Sequence, residues 1–501
     1  MLGTILKNMD LPDKWLKTTF LVILGAELFS ALVYIVPALG GVAFGVAVVL
    51  TAALTWRNLF YGVAIVAGEL MIGSLGSLLE LNLGEFSLSI RIGLFAAVFL
   101  VWLFKFLAQR WKTRKKFNFE PTPLVWVFMI FSAVLLFGLD HGLRLFNQKT
   151  VFLDFNNWLF LLFLWPCLHA ITSLPAVKKI LAVMLAATTW LAFKTILVLV
   201  VFSNHLADAG GRFYGWIRDT GVGEITHVSG TIFRIFFQSQ IFVLAAFLIF
   251  LSLMLFSKKM QQQIVIYVYL FLASFAILIS QSRSYWVGLA FGLLLLFGLA
   301  WRSKLVQPKL LVRTAIVLVI LIPVQLLLLN VLTRNFSGNP VAGRFAQLSS
   351  EAGASSRINA LPVLGQAIGQ RPILGYGFGK ELTYQSYDPR IVAQHPDGWY
   401  TTSAFEWGYL DTLLEIGMLG LAAYLIFITV TLAPVWRSAL KKNPAENEWF
   451  GLQLGLLAGL AGLAATNIFS PYLNHPLGIG YIILAVTIGQ ALLNQKSTET
   501  I

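Results

Sequence analysis

The chain reads as an all-α integral membrane protein, a bundle of about 12–14 transmembrane helices with one large loop outside the bilayer. Three observations predict this class. Hydrophobic residues make up 58% of the 501 positions and charged residues 12%, against about a quarter charged in soluble domains. Apolar runs of about twenty residues recur from end to end, the length that crosses ~30 Å of hydrocarbon as helix. These runs are continuous rather than alternating, which argues against the two-residue period of a membrane barrel.

The apolar segments lie near residues 18–37, 40–55, 59–79, 89–108, 122–139, 156–173, 180–202, 233–256, 262–280, 284–301, 310–332, 409–430, 450–469 and 476–493. The second is short, so either a span or a re-entrant segment is expected there. Basic residues then separate the two faces. With the N-terminus inside, the run KFLAQRWKTRKK (105–116), Lys178, Lys179, Lys258, Lys259, Arg302 and Lys304 all fall on the internal side. The short external connections hold few cations, among them Arg91, Arg144, Lys149, Arg212 and Arg218. Positive residues of short loops collect on the cytoplasmic side, so the N-inside arrangement is expected. The formal charge of +14 is then topology signal and attraction to anionic membrane lipids. It gives no reason to expect nucleic acid as a partner.

Other classes drop out quickly. The single cysteine, Cys167, lies inside an apolar run, which excludes a disulfide framework and a thiolate metal site. Residues 1–17 are polar and lead straight into a span without a small-residue cleavage site, so no signal peptide is expected. Four regions follow: N-terminal helices over 1–232, core helices over 233–332, a large external loop with short helices over 333–408, and C-terminal helices over 409–501.

The long polar interruption organises the rest. A loop of this length usually carries function, and the N-inside topology puts it outside together with 203–231, the turn SQSRS (280–284) and SPYLNHP (470–476). Five histidines, His141, His205, His227, His395 and His475, fall at or beyond that face; His169 lies within a span. Arg283 stands where one span ends and the next begins. A charge at membrane depth needs a partner or water and is a functional candidate; the alternative is a snorkelling anchor. Arg234, expected to open the span FRIFFQSQIF near Gln238 and Gln240, faces the same choice. Arg357 follows Ser356, a candidate N-cap, at the head of a short surface helix striped by Ile358, Leu361, Leu364 and Ile368. A cation in a first turn opposes the helix dipole and wants an external reason. Pro362 predicts a kink or boundary in that helix. Arg344 and Arg371 read as ordinary solvated loop charges.

Acidic residues are scarce. Glu406 precedes the closing span, where partial desolvation suits a general base; it reads equally well as a first-turn carboxylate. Asp411 and Glu415 lie inside that span, and Glu415 is expected to be a structural partner. No Asp-x-Asp pair is found on the external face, and no His/Cys cluster with zinc spacing, so no metal and no cofactor are expected. GYGFG (375–379) lacks the Lys-Ser/Thr and preceding strand of a phosphate loop and reads as a flexible turn.

The stretches SQSRSYWVGLAFGLLLL (280–296), SSRINALPVLGQAIGQRPILGYGFG (355–379) and EWGYLDTLLEIGMLGL (406–421), in that order and spacing, resemble the O-antigen ligase and O-antigen polymerase superfamily over roughly 230–490. The resemblance implies a GT-C-like membrane glycosyltransferase of a bacterial inner membrane. Its donor would be a glycan linked to a polyprenyl diphosphate such as undecaprenyl diphosphate, and its acceptor a glycan, a lipid or a protein. It implies that Arg283 and Arg357 bind the donor diphosphate. The family's ligases place a catalytic histidine, commonly followed by Asn, about nine residues before the Glu of E-x-G. Here that position holds Glu406, followed by Trp407. Glu406 is therefore the expected general base, with His395 as the competing candidate and Arg234, Arg344, His395 and Tyr409 as expected substrate contacts. Arginine suits the task because its fork meets a diphosphate with two parallel, always-charged hydrogen bonds. A transporter or flippase of lipid-linked sugars is the alternative, and would call for charges near mid-membrane.

Overall fold

The computed structural model describes residues 12–84, 86–113, 122–208, 210–262, 264–335, 352–440 and 447–498. Arg344 lies outside them. Each of the fourteen apolar segments contributes a helix. In chain order they begin with α1 (Asp13–Ile35), α2 (Pro37–Arg57), α3 (Leu59–Ile72), α4 (Ile90–Thr113), α5 (Pro123–Leu145), α6 (Gln148–Ala170) and α7 (Leu174–Ser203). They continue with α8 (Gln240–Phe256), α9 (Ile264–Ser280), α10 (Arg283–Ser303) and α11 (Pro308–Thr333). The loop contributes α12 (Ala352–Gln370), and the chain closes with α13 (Gly408–Leu440), α14 (Asn447–Thr466) and α15 (Pro476–Thr498). Among the described residues, eleven helices are long and apolar enough to cross a membrane, and α3, α8 and α9 are shorter apolar helices. The protein is thus an all-α, multi-pass membrane protein.

The second segment, expected to be short, runs 21 residues from Pro37 to Arg57 and is long enough to cross. The short one is α3, with 14 residues, or about 21 Å of helix. Local chemistry places the starts. The Asn58 side chain accepts the Phe60 N–H at 2.9 Å, and Thr122 caps Val125 ahead of Pro123 in the first turn of α5, both ordinary N-terminal devices.

Every residue of α8 is buried, so it is the central post of the bundle, packed by α7, α9, α10 and α14. Small residues let α10 approach α14 closely. A Cβ on Gly288 would stand 2.6 Å from the Gly462 carbonyl oxygen, and one on Gly292 would stand 2.9 Å from that of Ala458. Membrane helices pack this way because burial against lipid gains nothing and close van der Waals contact must replace it. The contact fixes the head of α10, where Arg283 sits. Among the described residues two ion pairs are buried in the bundle. Arg91 grips Glu69 with two hydrogen bonds of 2.9 Å and donates a third to the Ser74 carbonyl at 2.8 Å. Lys194 meets Glu27 at 2.7 Å. Charges this deep persist only when paired.

Among the described residues three antiparallel hairpins interrupt the helices: β1 (Glu80–Leu83) with β2 (Phe86–Ser89), β3 (Glu224–Ser229) with β4 (Ile232–Phe236), and β5 (Leu382–Gln385) with β6 (Trp399–Thr402). All lie at the end of the bundle that carries the long loop, and contacts knit that end together. Leu75 N–H donates to the Gly221 carbonyl, Trp216 Nε1 to Ser30, and Thr231 to the Thr333 carbonyl. Two basic side chains of the other end rest on aromatic neighbours there, Lys105 over Trp56 and Lys179 over Trp15.

Candidate functional site

The site is built where the loop is threaded back into the bundle. α13 is not continuous: Gly417 has φ +65° and ψ −172° in the middle of it. That break strips backbone partners from the residues on either side, and bare peptide groups inside a membrane bundle are costly. The loop supplies replacements. Tyr376 N–H donates to the Leu414 carbonyl and Gly377 N–H to that of Glu415, both at 2.8 Å. In return Met418 N–H donates to the Pro372 carbonyl at 2.8 Å and Leu419 N–H to that of Ile373 at 3.1 Å.

The glycines make the insertion possible. Gly375, Gly377 and Gly379 all have positive φ, where a side chain is strained. Gly377 also passes so close to α5 that a Cβ would meet Gly142 N at 2.5 Å, and a Cβ on Gly142 would meet the Phe378 carbonyl oxygen at 2.4 Å. Phe378 is fully buried and packs edge-on against Phe155. The flexible turn expected at GYGFG is therefore a seated plug. The expectation failed because glycine signals permissive dihedrals and cannot distinguish mobility from close approach. Gly142→Ala is expected to unseat the plug. The clash is backbone on one side, so it should destabilise the fold by about 1–3 kcal/mol, as overpacking does, read as a lowered melting temperature in detergent, while Gly365→Ala, which has open space around it, should not.

Asp154, on the first helical turns of α6, clamps both ends of the loop's second half. Its Oδ2 accepts the Gly379 N–H at 2.9 Å and its Oδ1 accepts from Ser403 Oγ at 3.2 Å. Ser403 stands three residues before Glu406. Nothing in the motif region pointed to Asp154, which lies among the generic spans.

α12 then lies over this plug. It buries Ala360, Leu364 and Ala367 against Tyr376, Phe405 and Leu414, whereas Ile358 of the expected stripe faces outward. Ser356 is not an N-cap. The helix is already formed at Ala352, and the buried Ser356 hydroxyl accepts from the Tyr387 N–H at 2.8 Å and from Ser386 Oγ at 3.0 Å, tying α12 to the β5 end. Pro362 neither ends nor splits the helix, which runs from Ala352 to Gln370 as one element.

The outcome for the candidate residues is specific. Arg357 and Glu406 come together: Arg357 Nε forms an ion pair with Glu406 Oε2. Trp407 Nε1 donates to the Arg357 carbonyl at 2.9 Å, locking the two segments. The side chains remain 44% and 51% exposed, so the protein itself does not enclose Glu406, and its partner here is the Arg357 guanidinium. Trp407 also contacts the Phe469 ring, and the adjoining Ser470 donates to Ser284 at 3.2 Å. That serine follows Arg283 at the head of α10, so a chain of contacts runs from the Arg357–Glu406 pair to the SQSRS turn.

Arg234 does not open a span. It sits in β4, opposite Thr226, and the span begins only at Gln240. Its Nε donates to the Ser280 carbonyl at 3.0 Å, its guanidinium lies 4.7 Å from the Phe236 ring centroid, and Glu224 stands 3.9 Å away. Arg234 and Arg283 thus flank one turn. His395 lies exposed in the connection between β5 and β6, and among the described residues the ion-pair partner of Glu406 is Arg357. Tyr409 is committed to the bundle, donating to the Ala464 carbonyl at 2.9 Å. Asp411 and Glu415 are buried one and two turns below, with Asn474 donating to Asp411 at 2.8 Å.

His475, in the turn 470–476, lies within the electrostatic reach of Arg91. Burial, assisted by the nearby Arg91 charge, pushes the His475 pKa down to about 3, so this imidazole is neutral and its Nδ1 accepts the Leu477 N–H at 3.3 Å.

Residues 268–425 match the O-Antigen ligase family. The match spans 158 of the 501 positions and contains Arg283, Arg357, the GYGFG plug and Glu406; Arg234, Asp154 and Ser470 lie outside it. It supports the resemblance to the O-antigen ligase and polymerase superfamily that those motifs carry. No curated protein matches the chain.

Proposed function

We propose, from the O-antigen ligase match over residues 268–425, that the chain is a membrane glycosyltransferase that moves or polymerises a glycan carried on a polyprenyl diphosphate, working on the external leaflet. The observation that carries this reading is the contact between Arg357 and Glu406, a diphosphate-type cation and a carboxylate brought together from two ends of the loop. The donor diphosphate would lie between Arg283 and Arg357. Each guanidinium offers a planar pair of N–H donors to the charge that grows on the leaving group.

The ion pair adds a timing element. A diphosphate competes with Glu406 for Arg357, and its arrival releases the carboxylate beside the anomeric carbon. Glu406 then takes the acceptor hydroxyl proton as the acceptor oxygen bonds to that carbon. The bond from carbon to phosphate oxygen breaks, the polyprenyl diphosphate departs with the electron pair, and the anomeric configuration inverts. No activated nucleotide enters, because the diphosphate ester is the activation. α12 and the hairpin above the site would limit water and so hydrolysis of the donor.

Two measurements test this. Single cysteines at Ser355 and Thr113 should label from opposite sides of sealed vesicles with an impermeant thiol reagent, while buried Cys167 stays silent; equal labelling overturns the orientation. Purified protein given an undecaprenyl-diphosphate-linked oligosaccharide should release undecaprenyl diphosphate in step with glycan transfer. Release of the lipid without any transferred glycan, or none at all with every acceptor class, overturns the activity.

A further inference from the structure

A second group of cations occupies the other end of α12. Arg371 stands one residue past the helix, fourteen residues from Arg357, or about 21 Å along a helix at 1.5 Å per residue. One diphosphate cannot span that gap. Arg371 Nη1 donates to His141 Nε2 at 2.9 Å, so that imidazole nitrogen is an acceptor and leaves most of the guanidinium donors for another partner. The Arg371 guanidinium lies 4.8 Å from the Tyr376 ring centroid, and Lys380 Nζ lies 4.9 Å from the same ring. Two cations share one aromatic ring.

Neither cation makes an ion pair among the described residues: Glu381, next to Lys380 in the chain, accepts from Thr150 at 3.5 Å instead. Among the described residues no carboxylate lies within 4 Å of Arg371 or Lys380; Asp140, nearby on α5, is taken by Arg144 at 2.9 Å. Cations gathered without a carboxylate repel one another and are stabilised by a bound anion. The surroundings say what kind. Directly after Arg371, Ile373 and Leu374 are 56% and 50% exposed, and Leu143 on α5 is exposed alongside. A soluble anion has no use for a strip of bare aliphatic side chains, and a neutral lipid has none for paired cations. Both together suit a phosphate head with hydrocarbon attached.

We infer that Arg371, Lys380 and His141 form a binding site for the phosphate of a second lipid, separate from the donor position at Arg283 and Arg357, with its chains along Ile373, Leu374 and α5. The inference deepens the proposed function and rests on it only in one respect: in a transferase acting at this face, the site would take a phosphate-bearing lipid acceptor or a companion lipid. Arg371 supplies the two-pronged contact, Lys380 a point charge, and His141 holds the guanidinium in place from α5.

The test needs no transferase activity, so its failure is separable from failure of that reading. Protein purified from nanodiscs containing phosphatidylglycerol in phosphatidylcholine is examined by native mass spectrometry. The wild type should retain one more phosphatidylglycerol than Arg371→Gln/Lys380→Gln. The charge-preserving Arg371→Lys/Lys380→Arg should retain it at least in part, and Lys258→Gln/Lys259→Gln, which removes two charges at the other end of the bundle, should retain it fully. Equal retention by wild type and the glutamine pair overturns the site, as does equal loss from the Lys258/Lys259 control. Displacement of the retained lipid by millimolar inorganic phosphate would mark a soluble-anion site and overturn the lipid assignment.

Discussion

Lysine at either Arg283 or Arg357 is expected to cost transfer about 10²–10³-fold, the usual loss when one donor to a developing oxyanion is removed, with the protein still folded and inserted. The charge survives the substitution; the fork does not. An ammonium cannot offer two parallel N–H bonds to a diphosphate, and it is more strongly hydrated. The two variants should differ in a second readout. Arg357 is paired with Glu406, so Arg357→Lys disturbs both the diphosphate contact and the base, lowering kcat along with donor affinity. Arg283 stands at the head of α10, and its variant should fall mainly on donor affinity and on release of the polyprenyl diphosphate. Measuring transfer against donor concentration separates the two. Near-normal product from both lysine variants would reduce these arginines to interfacial anchors.

Glu406→Gln should lower transfer by about two to four orders of magnitude, the contribution of a positioned general base, while donor binding is kept or slightly strengthened because the competing carboxylate has gone. Stability should hardly change, since an ion pair this exposed is worth about 0–1 kcal/mol. Glu406→His should recover part of the rate, because an imidazole can accept the same proton. His395→Ala is the control: that ring lies exposed in the β5–β6 connection, and its loss should leave transfer within a few-fold of normal. An inactive His395→Ala beside an active Glu406→Gln would transfer the base role to the histidine.

Much of the architecture was legible in the chain because the bilayer imposes a one-dimensional rule. A spanning helix must satisfy its backbone internally and show apolar side chains over a fixed length. Among the described residues eleven helices obey it in full, and α3, α8 and α9 are as apolar but shorter. Arg283, Arg357 and Glu406 stood out for a related reason: charge is so rare in this composition that each instance needs an explanation. Where the rule is silent, sequence erred. Arg234 looked like the first residue of a span because FRIFF is apolar, yet it pairs in a hairpin, since an alternating strand and a helix end are indistinguishable over five residues. Ser356 looked like a cap because a hydroxyl before a helix usually is one; its partner, Tyr387, lies 31 residues on.

The sequence by itself determined the class, the run of apolar helices and the small set of charged residues eligible for chemistry, all of which depend on local composition. Tertiary structure alone decided which of them meet. That Arg357 pairs with Glu406, that GYGFG plugs the break at Gly417, and that Asp154 holds Gly379 and Ser403 depend on contacts between residues tens to hundreds of positions apart. Such contacts follow from how glycine faces let backbones approach and how unsatisfied peptide groups find partners across a bundle, and no window of sequence contains both halves of either.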